Sequence, residues 1–188
     1  MTDAMQVKKI LLTTNLISRI HAHSLSALGA VQAAGRLASA KHIDMPGVYR
    51  QGPVIIKNSP HIPPAADAVE VLTQALCDYL NFNWYHMDPV DIAGIVLWRI
   101  NWIHPFRDGN GRTARALTRY VLTRSHEFNY GVGLDREFIY DRNAYYHALR
   151  SEDAFQKNTE SIKLPGPILR SFIDDIIKKH KLGSIIRP

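Results

Sequence analysis

Residues 88–115 read DPVDIAGIVLWRINWIHPFRDGNGRTAR, and the passage from Asp88 to Arg115 decides how the chain is built. Its first half is a helix signal. Asp88 is an N-cap residue, and Pro89 suits the first helical position, where no backbone N–H is needed. Through Ile92, Ile95, Val96, Ile100 and Ile103 the passage is apolar nearly all round, which predicts a central, buried helix. That helix should stop at His104, because the residue before Pro105 disfavours helical geometry. A tight loop, Asp108-Gly109-Asn110-Gly111, follows, and a second helix is expected from about Gly111 to Ser125.

On the N-terminal side, Ile10, Leu11, Ile17, Ile20, Leu25 and Leu28 recur at spacings of three and four, so Val7 to Leu28 reads as a helix with Gly29 as its stop. Ala30 to Ala40 reads as further helix. After the breaker Met45-Pro46-Gly47, two β-rich runs between Val48 and Lys57 flank Gln51-Gly52-Pro53, and a short hairpin is expected there. Pro63-Pro64 can open a helix that runs to about Phe82, with Val69, Leu72, Leu76 and Leu80 along one side. Asp141 to about Ala154 and Pro167 to Lys181 read as two more. No repeat, low-complexity tract or linker divides the chain. The expected fold is all-α, a bundle of about six to eight helices with one small β-hairpin, formed as a single domain over residues 1–188.

Bulk composition is consistent with that and excludes little else. A chain of 188 residues, 46% hydrophobic, can bury one core. No apolar run approaches the roughly 18 residues of a membrane helix. The polar stretch Met1 to Lys9 leads into no signal-peptide core, and one cysteine supports no internal disulfide. Cytoplasmic residence is the expectation, with delivery into another cell as an effector left open. Cys77 lies in an apolar helical pattern and reads as a small core residue. The formal charge of +6 suits anionic partners, whether nucleotide phosphates, nucleic acid or acidic lipid. Arg107, Arg112, Arg115, Arg119 and Arg124 fall in one stretch.

The joint between the two central helices concentrates the chemistry. The first N–H groups of a helix lack internal partners and the helix dipole favours negative charge there, so Gly109-Asn110-Gly111 before a helix makes an anion nest. Arg112 and Arg115 are three apart, share a face, and can grip two phosphate groups. Asp108 is a hard oxygen ligand suited to Mg²⁺ alongside substrate phosphates. His104, with an imidazole that titrates near neutrality, can take a proton from an attacking hydroxyl. Phe106 is apolar and should anchor the loop. Each feature alone is usually structural. Twelve residues holding a base, a metal ligand, an anion nest and two cations are better explained by catalysis.

The string His104-Pro-Phe-x-Asp-Gly-Asn-Gly-Arg112-x-x-Arg115 resembles the signature of the Fic domain family, with every fixed position filled. Gly47-Val-Tyr-Arg50 and Val54-x-Ile56 resemble the family's β-hairpin flap, and Arg142-x-x-Tyr145-Tyr146-x-x-Leu149 resembles the segment after the motif. The resemblance covers about residues 10–155, with a C-terminal helix beyond at about 167–181. It implies a protein adenylyltransferase that moves AMP from ATP to a Tyr, Thr or Ser hydroxyl of a target protein. His104 would be the catalytic base and Asp108 would hold Mg²⁺ against the α- and β-phosphates. Asn110 and the Gly109–Gly111 backbone would bind phosphates, Arg112 the β-phosphate and Arg115 the γ-phosphate. Arg50, Val54, Ile55 and Ile56 would form the flap that clamps the target as an added strand, and Tyr146 and Asp153 fall near the adenine-binding positions. The Gly-Asp pair usual after those positions is absent.

Many family members inhibit themselves through a Ser/Thr-x-x-x-Glu-Gly/Asn helix whose Glu pairs with the second motif arginine. Here Glu70, Glu127, Glu137, Glu152 and Glu160 are all followed by other residues, Leu28 stands where the frame starting at Ser24 would carry Glu, and the C-terminal helix offers only Asp174 and Asp175. Arg115 is therefore expected to be free of an internal inhibitor. Its carboxylate partner would come from a separate small protein, as in toxin–antitoxin pairs of this family, or from elsewhere in a longer chain, or not at all. Relatives that move phosphate, UMP or phosphocholine are the nearest alternatives. The phosphate-transferring branch carries Lys at the position of Gly111 and lacks the second arginine. A non-catalytic nucleotide or nucleic-acid binder is disfavoured by the intact His104 and by arginines gathered on one loop. A metal hydrolase is disfavoured because no two histidines sit at i, i+4 with a Glu between them.

Overall fold

In the computed structural model, which describes residues 12–36, 45–124, 134–157 and 161–186, the expected helix over 89–103 lies at the centre. Among the described residues there are seven α-helices: α1 (Thr14–Arg36), α2 (Val69–Asn83), α3 (Pro89–Ile103), α4 (Asn110–Arg124), α5 (Leu134–Tyr140), α6 (Arg142–Gln156) and α7 (Pro167–Ile186). A 3₁₀ turn, Ala66–Ala68, leads into α2 in place of a first turn at Pro63-Pro64. The Asp88 side chain accepts the Val90 N–H at 2.8 Å, and Pro89 opens α3. Every α3 residue except Pro89, Asp91 and Asn101 is buried, because α2, α4, α6 and α7 all pack against it. Its largest contact is with α4, so the loop between the two is held at both ends by core.

Even the arginine of α3 is inside. Arg99 is buried with its guanidinium 5.1 Å from the Trp98 ring and 4.7 Å from the Trp102 ring, where the aromatic faces offset part of the lost hydration. Cys77 is a buried core residue, and burial pushes its thiol up to about 12. At the N-terminal end of α3, Arg170 of α7 donates to Asp88 at 2.6 Å and also pairs with Asp91, which pins α7 to the start of the central helix.

Several boundaries differ from those read in the sequence. Helix α1 starts at Thr14 rather than Val7, because the Thr13 hydroxyl accepts the Leu16 N–H at 3.1 Å and caps the helix there. The buried Leu12 before it is clamped by Asn81 of α2, whose amide bonds both its N–H and its C=O at 2.8 Å. Residues 7–11 and 37–40 lie outside the described residues. Gly29 does not stop α1. A helical glycine costs about 1 kcal/mol against alanine, and the alanines around it keep the helix favourable. Helix α5 was not legible at all, and α7 runs on to Ile186. The hairpin is absent: among the described residues no strand forms between Val48 and Lys57. The Arg50 N–H instead donates to Pro105 O at 2.9 Å, and Pro53 has no N–H to offer a ladder. The segment forms no ladder, and its backbone is bonded to the α3–α4 loop at Pro105. No helix among the described residues is long and apolar enough to cross a membrane.

Candidate active site

The C-terminus of α3 delivers His104 in a left-handed conformation, φ 52° and ψ 56°, with its N–H bonded to Ile100 O at 3.1 Å. A non-glycine residue there carries strain of order 1 kcal/mol, which the surrounding contacts must outweigh. Its Nδ1 lies 3.1 Å from Asn101 O. A carbonyl only accepts, so Nδ1 carries the proton and Nε2 is left with its lone pair. Burial holds the His104 imidazole below its ordinary value; the Asn101 bond and Asp108 oppose this, while the Arg50 and His61 charges add to it. A neutral ring with Nε2 open is the state a general base requires.

Arg50 is buried and faces the same helix end. Its Nε donates to His104 O at 2.8 Å, its second nitrogen to Gly52 O at 3.0 Å, and its third to Pro64 O and, at 3.4 Å, to Ile103 O. A cation on the last carbonyls of a helix is favoured by the dipole. Arg50 thus anchors the 48–57 segment, and its guanidinium is turned inward. Beyond it, Val54 and Ile56 are half-buried and Ile55 is 97% exposed.

The loop after His104 is built from its own side chains. Asn110, 2% exposed, accepts the Phe106 N–H at 2.9 Å and donates to Phe106 O at 2.8 Å, so both ends of its amide are committed within the loop. Gly109 has φ 79°, and its carbonyl accepts from the N–H and the hydroxyl of Thr113 in the first turn of α4. The first-turn amides of Asn110, Gly111 and Arg112 have no helical partner by geometry. Asp108 Oδ1 accepts the Gly109 N–H at 2.6 Å and Oδ2 pairs with Arg112 at 3.1 Å, on a side chain that is 75% exposed. A carboxylate at the open rim fits a magnesium ion that takes its other ligands from phosphates and water.

Arg115 points back along α4. A Cβ added at Gly111 would lie 3.3 Å from an Arg115 terminal nitrogen. The guanidinium is 5.8 Å from the centre of the Tyr145 ring, and Asn101 bonds the Tyr145 hydroxyl at 3.2 Å. Asn101 therefore touches both the His104 imidazole and the ring beneath Arg115. Among the described residues no carboxylate pairs with Arg115.

A cleft of about 250 Å³ opens beside His104. Ile56, His61, Trp102, Tyr146, Arg150 and Asp153 are among its lining residues. Asp153 accepts the Trp98 indole N–H at 2.8 Å, and burial raises its carboxyl above the usual range. Tyr146 is 52% exposed at the rim. His104, Tyr146, Asp153 and Ile56 are thus brought to one cavity. Asp108, Arg112 and Arg115 lie outside its lining, on the loop and first turns of α4 that His104 leads into. Four residues that sequence reasoning gave no role, Asn101, His61, Tyr145 and His21, hold or line this site. Only Tyr145 left a trace, as part of the segment after the motif.

Known proteins resemble this chain in sequence and in fold. The family model for the Fic/DOC family matches residues 11–122. The protein adenylyltransferase Fic of Nematostella vectensis is 38% identical over 80 residues, covering 42% of this chain and 18% of its own length. That of Drosophila mojavensis is 28% identical over 151 residues, covering 79% of this chain and 26% of its own. The chain thus spans about a quarter or less of the length of these curated relatives. A Fic family protein from Desulfovibrio desulfuricans G20 superposes with a TM-score of 0.63 at 20% identity, over 94% of this chain and 50% of that one. A Fic domain containing signaling protein from Bacteroides thetaiotaomicron VPI-5482 superposes at 0.61 and 19% identity, over 90% and 68%. The helical fold, the His104–Arg115 motif and the matched family together establish that this chain belongs to the Fic/DOC family.

Proposed function

We propose that the chain transfers AMP from ATP to a Tyr, Thr or Ser hydroxyl of a target protein and releases pyrophosphate. The observation that carries this reading is the Asn101 carbonyl on His104 Nδ1, which leaves Nε2 unprotonated beside a cleft lined by Tyr146 and Asp153. Nε2 takes the hydroxyl proton as the target oxygen attacks the α-phosphorus. A new P–O bond forms to the target, the bond from the α-phosphorus to the bridging oxygen breaks, and pyrophosphate leaves. The amides at the start of α4 with Arg112 and Arg115 face the charge that gathers on that leaving group. Mg²⁺, held by Asp108, would neutralise phosphate charge. The adenine would enter the cleft toward Tyr146 and Asp153. The target would lie along the 53–57 segment, where the exposed Ile55 offers a contact for an added strand.

AMP is favoured over phosphate as the transferred group because Gly111 and Arg115 are both present, where the phosphate-transferring branch that the motif resembles carries Lys and lacks the second arginine. The relatives named protein adenylyltransferase support the same choice. Incubating the chain and a cell lysate with α-labelled or γ-labelled ATP tests it. Label transferred from the α-position supports AMP transfer, and label from the γ-position alone refutes it. For regulation, a carboxylate brought to Arg115 by a small antitoxin-like protein would displace the γ-phosphate and silence the site.

A further inference from the structure

Both positive-φ glycines near the site are contact points for helix α1. A Cβ at Gly47 (φ 85°) would lie 3.0 Å from Ser18 O, and one at Gly109 would lie 3.2 Å from His21 Nε2. His21, 3% exposed, sits between the two. Its Nδ1 accepts the Gly47 N–H at 2.9 Å, and its Nε2–H donates to Asp108 O at 2.9 Å. Its ring lies on Phe106, with centroids 3.7 Å apart and planes 2° from parallel. Helical periodicity alone places this histidine on an ordinary face of α1. A histidine that merely fills core would not need both nitrogens, and here each is used on a different segment of the site. Gly109 is small partly because the imidazole occupies the space its side chain would need.

We propose that His21 is a positioning residue for the transfer reaction: one imidazole ties the base of the 48–57 segment to the Asp108 peptide and so fixes where the Asp108 carboxylate points. The inference rests on the reading of Asp108 as the magnesium ligand. Besides the Arg112 pair on Oδ2, the carboxylate direction depends on two bonds, one from Gly109 N–H to Oδ1 and one from His21 to the carbonyl of the same residue. Without the second, the peptide between Asp108 and Gly109 can rotate and take the carboxylate with it. Losing a partner one step removed from a metal costs about 10- to 100-fold in affinity for it.

The test measures the affinity of the full chain for ATP by calorimetry, with magnesium chloride and with chelator, and takes the ratio as the magnesium-dependent gain. In His21→Gln the amide nitrogen reaches the place of Nε2 and can still donate to Asp108 O. In His21→Asn the oxygen replaces Nδ1 and the loop bond is lost. In His21→Phe only the stack on Phe106 survives. The gain is expected to fall about tenfold in the Asn and Phe variants and to be kept within about threefold in the Gln variant. Should the Phe variant not fold, the Asn–Gln pair decides. An unchanged gain in folded His21→Asn overturns the inference, as does equal loss in Asn and Gln, which would mark a role in folding alone. Asp108→Ala separates the two readings. If wild type and Asp108→Ala show the same ratio, the metal reading falls and takes this inference with it. If Asp108→Ala abolishes a gain that His21→Asn keeps, only the role of His21 is refuted.

Discussion

Replacing Asn110 by aspartate changes one atom and should reverse one interaction. The Oδ1 that accepts the Phe106 N–H remains, but the nitrogen that donates to Phe106 O at 2.8 Å becomes an oxygen. The variant loses a hydrogen bond worth about 1 kcal/mol and leaves a buried carbonyl unsatisfied at about 1–3 kcal/mol. A destabilisation of about 3 kcal/mol lowers the melting temperature of a chain this size by roughly 10 °C. Burial and the facing Phe106 carbonyl push the new carboxyl above the ordinary carboxylate range. Protonated, it can donate to Phe106 O and restore the pair. A carboxyl raised in the folded state stabilises fully below its unfolded value of about 3.9, and that contribution is lost as pH rises through its folded value. The deficit against wild type, followed by calorimetry, should therefore be large near pH 7.5 and shrink toward about pH 5. Asn110→Ala, which has nothing to protonate, should show a pH-independent deficit. A melting temperature for Asn110→Asp within about 2 °C of wild type near pH 7.5 would refute the clamp, as would a deficit insensitive to pH.

Because burial lowers the His104 pKa and the neutral ring is the base, the transfer rate in lysate labelling should stay on its plateau below pH 6.5 and fall only at lower pH. Arg170→Met should cost about 1 kcal/mol near neutral pH, since its carboxylate partners are partly solvated. Although burial opposes it, the Arg170 hydrogen bond holds Asp88 below its ordinary value. The loss should therefore be present above about pH 4 and vanish as acid protonates Asp88, as urea unfolding at several pH values would show. Ile55→Asp should leave stability within about 0.5 kcal/mol of wild type, because the side chain is almost fully exposed, while target labelling falls. Equal labelling in that variant would count against docking along the 53–57 segment.

The parts of the fold that could be read in the sequence are those whose signals are local. Asp88, Pro89 and the His104-Pro105 break mark the two ends of α3 through chemistry confined to a few residues, and the structure keeps both. The all-α class follows from the same kind of signal. Helix α5 has seven residues, too few for a period to show, and it exists because the buried Phe138 packs against Phe172 of α7. The hairpin reading failed for a related reason. Val48 to Lys57 has the composition of paired strands, but Arg50 finds carbonyls at Ile103 and His104, 53 and 54 residues away, and no local pattern reports that. The site divides in the same way. The motif names the residues that would face a nucleotide, while the groups that orient them, Asn101 on His104 and His21 on Asp108, bear no motif. They become visible only where hydrogen-bond partners can be followed across helices.

The central claim is that His104 Nε2 acts as the base for AMP transfer to protein. It is tested most directly by mass spectrometry of lysate proteins after incubation with ATP and either wild-type chain or His104→Ala. Side chains that carry an added AMP are expected with the wild-type chain and none with the variant. AMP adducts of equal abundance in both samples, or no adduct from a wild-type chain that binds ATP, would contradict it.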